Sequence, residues 1–237
     1  MIWRAALVAA GLAAGIGGCL LAPPGMMRGL GHPLVVLGPL LSVAVVAAVA
    51  REGWRHSRMA ASLGQLARPG VLSGHPVGVI PGLSGAVVAG VRRPRIFCGH
   101  DLSSRLAPDE VQAVILHERH HQLAGAPVRL VVIAAVGSLL RRLDSGRVWI
   151  ERERARIEIA ADAYALASGV SRNALARALV KLGSDPAVGV VPGFATASDL
   201  RVRALLGERT GIEDRRGSGV LATAVLVVLS CLLIFLR

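Results

Sequence analysis

Apolar runs at the two ends of the chain bracket a charged middle. Residues 2–21 carry one charge, Arg4, and are long enough for a helix to cross a hydrocarbon core of about 30 Å. Residues 33–50 form a second uncharged run, joined to the first by a short turn rich in proline and glycine. A third such run, residues 219–236, is again the length of a span. The pattern predicts an N-terminal helical hairpin over 1–50 and a C-terminal span over 218–237. A signal peptide is the rival reading of the first run, because Ile16-Gly17-Gly18-Cys19 resembles a weak lipoprotein cleavage box.

Between these runs the period changes. Residues 66–99 alternate glycine and proline with β-branched residues, in Val77-Gly78-Val79-Ile80, Ala86-Val87-Val88-Ala89 and Arg95-Ile96-Phe97-Cys98. This predicts two or three short strands, with an edge open to an extended peptide as one use of them. Pro108-Asp109-Glu110 opens a helix, with proline in its first turn and acids at its positive end, so both acids read as helix-end charges. Residues 128–140 are apolar but only 13 long, short for a span. They are expected to form a buried helix or one lying shallowly on a membrane. Residues 149–167, 171–182 and 199–208 read as further helices, with Ser171 as a cap.

Charge sets the orientation. The 237 residues carry 27 Lys and Arg against 15 Asp and Glu, a net charge of +12, with Lys181 the sole lysine. Arg51, Arg55, Arg58 and Arg68 follow the second run, and Arg215 and Arg216 precede the last. By the inside-positive bias this puts 51–217 in the cytoplasm. The arginines are dispersed and no nucleic-acid motif accompanies them, so direct nucleic-acid binding is not expected. Cys19, Cys98 and Cys231 have no spacing of a disulfide framework or a cysteine metal site.

The chemistry lies in His117-Glu118-Arg119-His120-His121. Histidines four apart project from one helix face and can share one Zn2+. Glu118 is offset, placed to act as general base on a water held by the metal. His120 fits the spacing less well than His121 and reads as a residue that supports the site or faces substrate. A third ligand is required, and Glu158 is the candidate. Asp162, one turn on, is placed to hold the free nitrogen of a metal-ligating histidine. Glu151 and Glu153 are rivals, but Arg152, Arg154 and Arg156 among them suggest a solvated, ion-paired face. Tyr164, Arg156 and Asn173 are polar neighbours that read as structural.

Over residues 75–167 these blocks resemble the membrane zinc metallopeptidases of the BlaR/MecR antirepressor family and, less closely, the Ste24/HtpX-type membrane endopeptidases. The resemblance rests on Arg93-Pro94-Arg95-Ile96, on residues 106–118 through His121, and on Trp149 with Glu158-Ile159-Ala160-Ala161-Asp162. It implies zinc bound by His117, His121 and Glu158, catalysis by Glu118 and support from Asp162. Ala107 departs from the polar cap usual before the proline. The penicillin-binding domain of antibiotic-sensing members has no counterpart here, so direct β-lactam sensing is not expected.

The expectation is therefore an α+β, mainly helical, integral membrane protein, with a cytoplasmic zincin-like domain over 51–217 containing a small β-sheet. Its substrate is expected to be a protein or peptide, a transcriptional repressor being one candidate. A non-enzymatic membrane scaffold with a structural metal site is the alternative.

Overall fold

The computed structural model describes residues 31–140, 144–183 and 198–208. The first apolar run, the C-terminal run and Cys19 and Cys231 lie outside them. The described residues form a mixed α+β structure of seven helices and one four-stranded sheet. Helix α1 is Gly31–Leu66. Strands β1 (Arg68–Leu72), β2 (His75–Ile80), β3 (Ala86–Ala89) and β4 (Arg95–Gly99) follow. The remaining helices are α2 (Leu102–Arg105), α3 (Pro108–Leu123), α4 (Ala126–Leu140), α5 (Asp144–Ala167), α6 (Arg172–Gly183) and α7 (Ser198–Leu205).

The sheet order is β1-β2-β4-β3. β1 and β2 form an antiparallel hairpin, β2 and β4 run parallel, and β3 returns antiparallel to β4. Ser73 and Gly74 turn the hairpin, both at positive φ (47° and 75°), the conformation a two-residue turn needs to match strand twist. The sequence predicted two or three strands and the sheet has four. The added one, β1, reads Arg-Pro-Gly-Val-Leu, a poor strand former. It survives because it is an edge strand, where a proline leaves no central ladder bond unmade. Gly99 ends β4 where a Cβ would sit 2.1 Å from the Leu83 carbonyl oxygen, so only glycine fits there.

Helix α3 is the centre of the structure. Ala113, Val114 and Ile115 are fully buried, and the apolar cluster around them takes in Ile96 and Cys98 of the sheet and Leu175, Leu179 and Leu182 of α6. The helix nevertheless carries many polar residues and buries Glu110, His117, Glu118 and His121. The polar residues it buries therefore need specific partners. Its N-terminus is fixed by Glu110, whose carboxylate accepts the Ala107 N–H at 2.9 Å and ion-pairs with Arg177 and Lys181 of α6. The missing polar cap at Ala107 is thus replaced from within the first turn. Near its C-terminus Gln122 donates to the Pro94 carbonyl at 2.7 Å, tying the loop before β4 to the helix.

Helix α5 lies against α3, and its Ala155, Ala161 and Ala165 are fully buried, Ala165 in the cluster around α3. Small side chains let the two axes approach, which brings α5 carboxylates within reach of α3 imidazoles. Helix α4 packs between α1 and α5. A Cβ on Gly137 would meet Ile150 of α5 at 2.6 Å, and Val131, Ile133 and Ala135 are buried.

The expected helix over 33–50 is part of α1, which crosses position 50 without a break. Among the described residues no single helix is long and apolar enough to cross a membrane. Helices α3 and α4 pass that test only as a pair, and they are bent by 70°.

Candidate metal centre

His117 and His121 face α5 from consecutive turns of α3, and Glu158 of α5 meets them. The Nε2 atoms of the two histidines are 3.0 Å apart. His117 Nε2 lies 3.2 Å from one Glu158 oxygen, and His121 Nε2 lies 3.6 Å from the other. Three donors each about 2.1 Å from a tetrahedral ion would stand about 3.4 Å apart. The observed spacings bracket that value, so this buried group could hold a metal ion.

Asp162, one turn beyond Glu158, lies behind His117, with Oδ1 2.8 Å from Nδ1. An ionised carboxylate only accepts, so Nδ1 carries the hydrogen and Nε2 is left for the ion. Burial and the Arg201 charge work against protonating His117, but its hydrogen bonds to Asp162 and Glu158 outweigh them and raise its pKa. Burial likewise opposes ionising Glu158, yet the two imidazoles hold its carboxyl down at about 2.

Glu118 behaves differently. It is buried, and its Oε1 has no hydrogen-bond partner among the described residues. Burial pushes its carboxyl above the ordinary value, with the two histidines pulling the other way. An orphaned buried carboxylate oxygen costs free energy, so its presence asks for a reason. Here it opens onto a cleft shared with His121 and Glu158.

The cleft walls come from three further elements and from α5 again: His56 and Met59 of α1, Val87 and Val88 of β3, Leu130 of α4, and Arg154 of α5. Adjacent strand residues point to opposite faces, so a cleft touching both Val87 and Val88 runs along the edge of β3. That strand ends the sheet order. No family model, no curated protein and no solved structure matches this chain. The geometry therefore carries the functional reading.

The structure brings together His117, Glu118, His121, Glu158 and Asp162. It does not bring His120 to the cleft, whose ring lies 5.2 Å from that of Tyr164. The expected solvated face of α5 needs correction. Glu151 is exposed, but Glu153 is buried and paired with Arg156, while Arg154, one turn before Glu158, is half-buried and lines the cleft. Asn173 is exposed.

Sequence reasoning missed Arg201. It lies on α7, in a segment that reads only as a short basic helix, and its side chain is 0% exposed. Its guanidinium donates to both Asp162 oxygens, at 2.8 and 2.6 Å, and sits 3.5 Å from Glu158 Oε2. The available signal was its register, four residues before Leu205 and on the same helix face. Leu205 is buried.

Proposed function

We propose that this protein is a membrane-anchored zinc metalloendopeptidase, similar to the BlaR/MecR-type antirepressor peptidases. The observation that carries the reading is the convergence of three metal donors with a buried, unpartnered Glu118 oxygen in one cleft. Structural zinc sites are closed by four protein ligands, whereas catalytic sites keep a position open. Three donors beside a cleft fit the second class, and imidazole with carboxylate suits zinc.

His117, His121 and Glu158 would hold a zinc ion, which would supply Lewis acidity for peptide hydrolysis. Glu118 would accept a proton from the attacking water as a new C–O bond forms at the peptide carbonyl carbon. Glu118 then delivers the proton to the departing amine as the C–N bond breaks. Asp162 keeps His117 in the tautomer that leaves Nε2 free. Arg154 is the cation in the cleft to which negative charge developing on the carbonyl oxygen can turn. The edge of β3 takes the substrate as an added extended strand, and the apolar walls favour hydrophobic side chains beside the cut.

In this reading the apolar runs 2–21 and 219–236 hold the chain in the cell membrane, with the catalytic domain cytoplasmic. Substrates are proteins or peptides, and a transcriptional repressor is the leading candidate.

Elemental analysis of detergent-purified protein tests the site. One zinc per chain is expected in the wild type, with sharp loss in Glu158→Ala. Glu118→Gln should keep its zinc and lose peptide hydrolysis by at least about 10²- to 10⁴-fold. A folded, metal-replete wild type without zinc would refute the proposal. Zinc without hydrolysis across varied peptides would point to a structural site in a membrane scaffold.

A further inference from the structure

We infer that Arg201 is a positioning residue of the metal centre, acting on His117 through Asp162; this rests on the metal-site reading above. A guanidinium with no exposed surface is expensive to bury, and apolar side chains of similar size usually stabilise a core as well or better. Arg201 is the largest fully buried side chain among the described residues, so packing alone is a weak reason for it. Its contacts supply a better one. The fork takes both oxygens of Asp162 at once, which fixes the carboxylate plane as well as its position. The oxygen facing His117 is one of those two. Asp162 therefore cannot rotate away from the Nδ1 hydrogen without breaking a two-point contact. The same guanidinium reaches Glu158 at 3.5 Å and comes within 3.3 Å of His117 Nδ1. One side chain from α7 thus touches two α5 carboxylates and lies against an α3 histidine.

Charge makes the inference testable. Glu158 and Asp162 offer two negative charges to a cation, and Arg201 cancels one. On Coulomb's law alone, removing Arg201 should tighten metal binding. A positioning role predicts the opposite, because outer partners of metal-ligating histidines typically govern affinity by 10- to 100-fold.

The experiment uses the full chain in detergent, comparing wild type, Arg201→Met, Arg201→Lys, Asp162→Asn and the double variant Asp162→Asn/Arg201→Met. Zinc affinity is read by competition with a chromophoric chelator, and ligand geometry by the visible absorption of bound Co2+. Arg201→Met is expected to weaken zinc by about 10- to 100-fold and alter the Co2+ bands. Arg201→Lys, keeping the charge without the planar fork, should fall between. The double variant should lose little more than Asp162→Asn, since Arg201 acts through that residue. Unchanged or tighter zinc binding with unchanged Co2+ bands would overturn the assignment, whatever the thermal midpoint does. Should Arg201→Met fail to fold, Arg201→Lys and Asp162→Asn decide: the assignment falls if Arg201→Lys matches wild type in both readouts while Asp162→Asn does not. Absence of zinc from the wild type would overturn the metal centre and this assignment together.

Discussion

Glu110, Glu118 and Glu158 are all buried, yet their surroundings give them three different tasks. Glu158 is bracketed by imidazoles and suits ligation. Glu118 keeps an unpartnered oxygen and suits proton transfer. Glu110 is structural: burial opposes its charge, but hydrogen bonds from Lys181, Ala107 and Arg177 hold its carboxyl at about 2, against an ordinary 4.5. A carboxyl depressed on folding adds stability above its unfolded value, and that stability drains away as pH falls towards the folded one. The wild type should therefore lose stability between about pH 4.5 and 2. Glu110→Gln should be weaker by about 1 kcal/mol near neutrality and show a flatter decline, measured as thermal midpoint against pH. Arg154 gives a second expectation. Arg154→Ala should retain its zinc and lower kcat/KM by about 10²-fold; a drop in zinc stoichiometry would show instead that the residue supports the ligands. The histidine motif and Glu158 were legible because ligand chemistry forces a spacing on the sequence. Arg201 was not, since its register with Leu205 is a weak mark on one arginine of a polar helix. Its burial depends on a carboxylate 39 positions away. Arg154 was misread because its neighbours Arg152 and Glu151 do face solvent.

At the scale of elements, helices α3, α5 and α6 followed from apolar runs, the proline start and the Ser171 cap, whose hydroxyl accepts the Ala174 N–H at 3.0 Å. Strand β1 did not follow, because proline and glycine speak against a strand in any window read alone. It exists only because β2 offers a ladder and the hairpin turn sets the register. Gly99 is a sharper case of tertiary control. Its conformation is open to any residue, but the Leu83 carbonyl occupies the space a side chain would need. Gly99→Ala should destabilise the protein by about 1–3 kcal/mol, read from denaturant midpoints. Cys98, on the same strand, is fully buried with its thiol pushed up to about 11 by burial. It should stay unmodified by a thiol reagent until the protein unfolds.

Over the whole molecule, the cleft and the second apolar run share one helix. Helix α1 contains the apolar run at 33–50 and ends past His56 and Met59, which line the cleft. A chain started at residue 51 would keep those two side chains but cut the helix that carries them and uncover part of α4. It should be less stable than the full chain and need detergent to remain monomeric, which size-exclusion chromatography would reveal. The full chain should remain in the membrane fraction after alkaline carbonate washing; release into the supernatant would remove the anchored part of the proposal. The order in which the centre is assembled has a consequence during biosynthesis. His117 and Arg201 are 84 positions apart. At about 5–20 residues per second, the ribosome takes roughly 4–17 s to travel that distance. For that interval the nascent chain carries both histidines and Glu118 without the guanidinium that braces Asp162. A peptidase of the proposed kind would stay unfinished until α7 is made, while its unfolded neighbours on the polysome would be the most cleavable chains within reach.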